Sequence, residues 1–132
     1  MKTNHKIVAS VAALVGIAGA AVLVPAVSAH LEHRKAEQIC QKYEDQQVKV
    51  LTRAMEMIKE QEEAFEAGLT ALDEGRYGAF KAQTSKVTGI TSKHKQTMDR
   101  AYDLKASYLD ECKFEDRKFE FFNTTVRNIT AW

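Results

Sequence analysis

One proline, Pro25, stands among 132 residues, and there are only six glycines. A sheet protein needs turn residues at roughly every dozen positions, so this scarcity excludes one; the richness in Ala, Glu, Lys and Gln predicts an all-α chain. Motifs that carry chemistry are also missing. There is no Cys-x-x-Cys-His for haem, no glycine-rich phosphate loop, no Gly-x-Ser-x-Gly and no His-Glu-x-x-His. No cofactor is expected, and no enzymatic activity.

Charge of one sign is lacking as well. Setting aside Lys2 and Lys6 leaves 17 of the 19 basic side chains against 18 acidic ones. Counterion release on nucleic acid needs a net basic face, so a nucleic-acid partner is not expected, nor recruitment to anionic lipid by bulk charge.

What is present begins with a long apolar run. Residues 7–24, "IVASVAALVGIAGAAVLV", follow a basic start, and "PAVSA" (25–29) places Val27 and Ala29 at the spacing read by signal peptidase. Residues 1–29 are therefore expected to be a signal peptide cleaved after Ala29, or a signal-anchor transmembrane helix. The run is longer than the usual h-region and approaches the ~20 residues that span a bilayer. In a retained anchor, Ala12, Gly16 and Ala20 would form a ladder of small residues suited to close helix approach. The basic N-terminus predicts that residues 30–132 face out of the cytoplasm in both cases, in the periplasm or cell envelope. A retained leader also predicts membrane association.

An exported chain with two cysteines, Cys40 and Cys112, is expected to carry one disulfide. They lie equally far from Arg76, inside "DEGRYGAF" (73–80), where two glycines interrupt helical patterning. Apolar residues from Ala36 to Leu72 recur every three or four positions and predict one long helix. A second heptad pattern runs through Tyr77, Phe80, Thr84, Val87, Thr91, His94, Met98, Ala101, Lys105, Tyr108 and Cys112, then Glu115, Phe119, Phe122, Val126 and Ile129. A turn near 73–78 gives a long antiparallel αα-hairpin, coiled-coil-like, over residues 30–132. Residues whose numbers add to about 152 then lie side by side, Cys40 beside Cys112 among them. The charges agree: residues 56–66 hold five glutamates and one lysine, and residues 86–96 hold three lysines, His94 and no acid.

The second helix is expected to run on past the point opposite Ala29. Its stripe Phe119, Phe122, Val126 and Ile129, ending in Trp132, would then be bare and would contact the leader, the membrane interface, another protein or a second protomer.

Remaining clusters point to no metal. His30 and His33 with Glu32 and Glu37 lack a second ligand pair; Glu60, Glu62, Glu63 and Glu66 lack the Glu-x-x-His partners of a carboxylate-bridged site. Asn123-Thr-Thr and Asn128-Ile-Thr match the glycosylation acceptor pattern, which matters only in a host that glycosylates. The pattern implies a non-enzymatic, envelope-associated helical hairpin that works by protein contact, as an accessory subunit, scaffold, assembly factor or chaperone-like binder. The alternative is a homodimer forming a four-helix bundle that carries a small ligand or metal through His94, Met98, Tyr102 and Tyr108.

Overall fold

A computed structural model describes the backbone of residues 2–131 and the side chains of residues 27–131. The leader's apolar run, residues 7–24, and Trp132 lie outside the described side chains. Among the described residues no helix is long and apolar enough to cross a membrane.

The chain is all-α. Helix α1 is Lys2–Asp73 and α2 is Tyr77–Glu111; α3 is Glu115–Glu120, continued by a π-helical segment, Phe121–Val126, and by α4, Arg127–Thr130. The chain divides into two compact units, residues 1–38 and 39–132. In the first, the described side chains are nearly all exposed, and His33 pairs with Glu37 at 2.8 Å. The second contains the hairpin and its core.

The reversal between α1 and α2 takes three residues. Gly75 N–H donates to the Leu72 carbonyl at 3.1 Å and Arg76 N–H to the Ala71 carbonyl at 2.8 Å. These two bonds are the Schellman closure of a helix C-terminus, which requires a left-handed residue. Gly75 supplies it, with φ of 72°. Gly78 and Gly89 meet no such demand, and a Cβ on either would find open space. Helix α2 passes straight through Gly89. Its threonines Thr84, Thr88, Thr91 and Thr97 each donate to the carbonyl four residues back, which keeps their hydroxyls paired within the helix. Gly75→Ala is therefore expected to destabilise the chain by about 1 kcal/mol, and Gly89→Ala to stabilise it by about 0.5–1 kcal/mol. Chemical denaturation of the two variants, followed by circular dichroism, reads both.

The register is the expected one. Cys40 and Cys112 are bridged, with Cα atoms 4.8 Å apart. Gln61 Nε2 donates to Thr91 Oγ1 at 2.6 Å, and the Tyr108 hydroxyl to Glu44 Oε2 at 2.5 Å. The acidic and basic blocks do lie at matching heights, but no salt bridge joins them among the described residues; Arg53 instead pairs with Glu56 and Glu60 on its own helix. Exposed ion pairs contribute little, so the register rests on packing and the bridge.

The packed columns differ in part from the expected stripes. On α2 the column Phe80, Val87, His94, Ala101 and Tyr108 does face α1, but its companion is Gln83, Ile90, Thr97 and Leu104; Thr84, Thr91 and Lys105 are exposed, and Met98 is half-buried. Near the turn, α1 turns Ala64, Gly68 and Ala71 inward and leaves Phe65, Leu69 and Leu72 exposed. Close approach explains this, because a Cβ added to Gly68 would already meet Gln83 Cβ at 3.4 Å.

The largest departure is in the tail. Helix α2 does not run on: it stops at Glu111, and Cys112 and Phe114 take extended conformations. The tail then folds back along the hairpin. Phe121 joins Cys40, Tyr108 and Cys112 in one buried cluster, with Tyr43, Val48, Phe114, Phe122 and Val126 packed against it. Ile129 lines a pocket together with Thr52, Met55, Glu56 and Lys59 of α1. The break rotates the tail, so Phe121 is 7% exposed and Phe119 72%.

Candidate interaction surface

Three elements meet at the base of the hairpin. Tyr108, 1% exposed, packs edge-on against both Phe121 and Phe122, at ring separations of 5.3 and 5.8 Å. Lys105 Nζ lies 5.0 Å from the Phe122 ring. Above this apolar floor, Glu44 gathers the polar groups. It accepts from the Tyr108 hydroxyl and takes both arms of Arg117, Nε at 2.7 Å and an Nη at 2.8 Å. The same Arg117 reaches Gln41 Oε1 at 2.9 Å, and Tyr43 donates to Glu111. A forked guanidinium–carboxylate pair fixes orientation as well as distance, so it locks α3 against α1.

Lys118 is buried, donating to the Leu109 carbonyl at 2.9 Å and to Glu115 Oε1 at 2.7 Å. The Leu109 carbonyl is among the last four of α2, which have no partner within the helix. Lys118 therefore caps α2 from the segment that follows it, where a cation is favoured by the helix dipole. Neither Lys118 nor the Glu44–Arg117 pair was expected from the sequence. The acidic first turn of α3, Glu115 and Asp116, is the signal of a new helix start that was there to find.

Burial, together with the bond to Glu44, pushes the Tyr108 phenol well above its ordinary value; Arg117 opposes this only in part. The neutral phenol is the form the fold holds. Its contribution is fully present below the unfolded-chain value of about 10 and is lost as pH rises through the higher folded-state value. Thermal melts above about pH 10, where the unfolded chain ionises first, are expected to fall more steeply for the native chain than for Tyr108→Phe. Parallel pH profiles for the two proteins would refute this.

The residues expected at a partner surface separate into three groups. Phe122 and Val126 pack against the core, and Ile129 is half-buried on α1. Phe119 is bare, and Trp132 is outside the described residues. Of the four residues of the ligand-carrier reading, Tyr108 is enclosed at the base, His94 and Met98 are half-buried and Tyr102 is 64% exposed. His94 lies in the seam with its Nε2 enclosed and without a protein partner, as does Gln47 Oε1. Both are polar residues at core positions, which specify register at some cost in stability.

A second surface lies near the turn. Ala64, Phe65, Gly68 and Leu69 of α1 and Phe80, Thr84, Val87 and Thr88 of α2 line an apolar groove of about 260 Å³. The Thr84 and Thr88 hydroxyls point back into their own helix, which leaves methyl groups for the groove. Phe65 is 58% exposed, and Leu69, Leu72 and Tyr77 beside it are also bare. No group of three or more His, Cys, Asp or Glu suited to a metal ion occurs among the described residues.

Fold and surface define a disulfide-closed helical hairpin with a folded-back tail and an apolar groove near its turn. Comparison with protein-family models, curated proteins and solved structures finds no match.

Proposed function

We propose that this chain is a non-enzymatic, exported, envelope-associated protein that acts by protein–protein contact, as an accessory subunit, scaffold or assembly factor. The observation that carries the reading is the exposure of large apolar side chains, Phe65, Leu69, Leu72, Tyr77 and Phe119, on a hairpin closed by a buried disulfide. A buried intramolecular bridge suits an oxidising extracytoplasmic compartment. The leader either anchors the chain in the membrane or is removed after Ala29, and intact mass of the protein isolated from its native envelope distinguishes the two.

Deleting the tail would be a poor test of contact, because Phe121 and Phe122 belong to the core. Surface substitutions are cleaner. After mild solubilisation of the native envelope, native electrophoresis should show the chain comigrating with another polypeptide. Replacing Phe119 and Leu69 by Asp should release it. A chain that migrates alone before any substitution would sink the reading.

A further inference from the structure

The groove near the turn lies on the face of the hairpin that the tail covers lower down. Leu69 is two heptads beyond Met55, which lines one pocket with Ile129, and Thr84 is three heptads before Lys105, whose Nζ lies against the Phe122 ring. Heptad-spaced residues of paired helices keep facing one side. The tail–hairpin interface therefore continues into the groove, and among the described residues the tail helix reaches as far as Met55 and Lys59. From there to Gly75 the bare stretch is about 24 Å at 1.5 Å per residue, enough for a helix of about four turns.

Its edges are charged and opposite in sign. Glu62, Glu66 and Asp73 are exposed along the α1 edge, and Lys81 and Lys95, one heptad to either side of Thr88, along the α2 edge. Among the described residues, none of these five enters an ion pair. A second copy of this chain fits poorly. Packed groove to groove in parallel, the two tails would hold the hairpins two helix layers apart, with each layer about 8–10 Å. Packed antiparallel, α1 would face α1 and acid would face acid.

We propose that the groove receives one amphipathic helix of a different protein, about four turns long, laid end to end with the chain's own tail. Bulky apolar residues three and four apart face Phe65, Leu69, Phe80 and Val87. Basic residues run along the flank over Glu62 and Glu66, and acidic residues along the flank over Lys81 and Lys95. This rests on the contact reading above and names its surface and partner class.

The test places a photoreactive benzoylphenylalanine in the full chain, in its native host, at Phe65, Leu69, Phe119 or Arg100, the last an exposed position of α2 outside the groove. Mass spectrometry then locates the residue joined to each. The proposal requires that adducts from Phe65 and Leu69 fall on one other protein, at apolar residues three, four or seven apart in one segment. A synthetic peptide of that segment should bind the purified chain, and Leu69→Lys should weaken binding at least tenfold with Tm unchanged. Adducts to a second copy or to lipid, or none from Phe65 and Leu69, overturn it. Adducts to protein from Phe119 or Arg100 alone would remove the groove assignment and leave the contact reading standing. No protein adduct from any of the four positions would remove both.

Discussion

Replacing both Cys40 and Cys112 by alanine is expected to lower the unfolding free energy by roughly 4 kcal/mol, the chain-entropy value for a closed loop of this size. The bridge joins residues separated by 72 positions, and both cysteines are fully buried. Two effects add. The unfolded chain loses its largest constraint, and the base cluster loses two sulfurs that Tyr108 and Phe121 pack against. Residual helix in the unfolded chain reduces the first effect. Urea unfolding of the native and double-alanine proteins measures the sum, and a difference below about 1 kcal/mol would mean that the bridge is incidental to stability. A thiol reagent should label nothing in the folded native protein and should label two cysteines after unfolding and reduction.

Phe121→Ala is expected to cost about 3 kcal/mol or more, the range for removing a buried aromatic ring, while Phe119→Ala should fall within about 0.5 kcal/mol of the native chain. The contrast is sharp because the two residues are near neighbours of the same type. Phe121 makes edge-on contacts to Tyr108 and Phe122, at 5.3 and 5.4 Å, whereas Phe119 faces away from the core. If α2 ran on uninterrupted in heptad register, Phe121 would lie off the stripe and neither ring would be buried, so both substitutions would fall within about 0.5 kcal/mol of the native chain. Thermal melts of the two variants decide between the continuous and the folded-back tail.

The hairpin was legible in the sequence because its determinants are local or paired. Gly75 supplies the left-handed residue that a helix C-terminus calls for, and two cysteines at equal distance from Arg76 mark the axis of reversal. The tail was not legible for a physical reason. "DECKFED" contains neither glycine nor proline, and the extended conformations of Cys112 and Phe114 are open to any residue. What selects them is tertiary: the bridge, the Glu44–Arg117 fork and the Lys118 cap. Lys118 hides the selection further, since a lysine reads as surface until the carbonyl and carboxylate that enclose it are known. The apolar residues Phe119, Phe122, Val126 and Ile129 happen to continue the heptad, so an uninterrupted helix looked consistent. On α1 the error has another source. Large residues dominate any reading of an apolar stripe, whereas close helix approach selects Ala64, Gly68 and Ala71 and turns Phe65 and Leu69 out into the groove.

The turn at Gly75 has a consequence for how the chain acquires its shape. Contacts next to the turn, such as Gly68 with Gln83, close loops of few residues, and each step toward the base lengthens the loop being closed. Ordering the short loops first keeps the entropic cost of each later step small. The hairpin is thus expected to zip from its turn, with oxidation of Cys40 and Cys112 as a late sealing event. Because the chain has only these two cysteines, neither has a wrong partner within the molecule. Mispairing among copies of this protein is limited to a covalent link between two chains, favoured when protein is concentrated before zipping is complete.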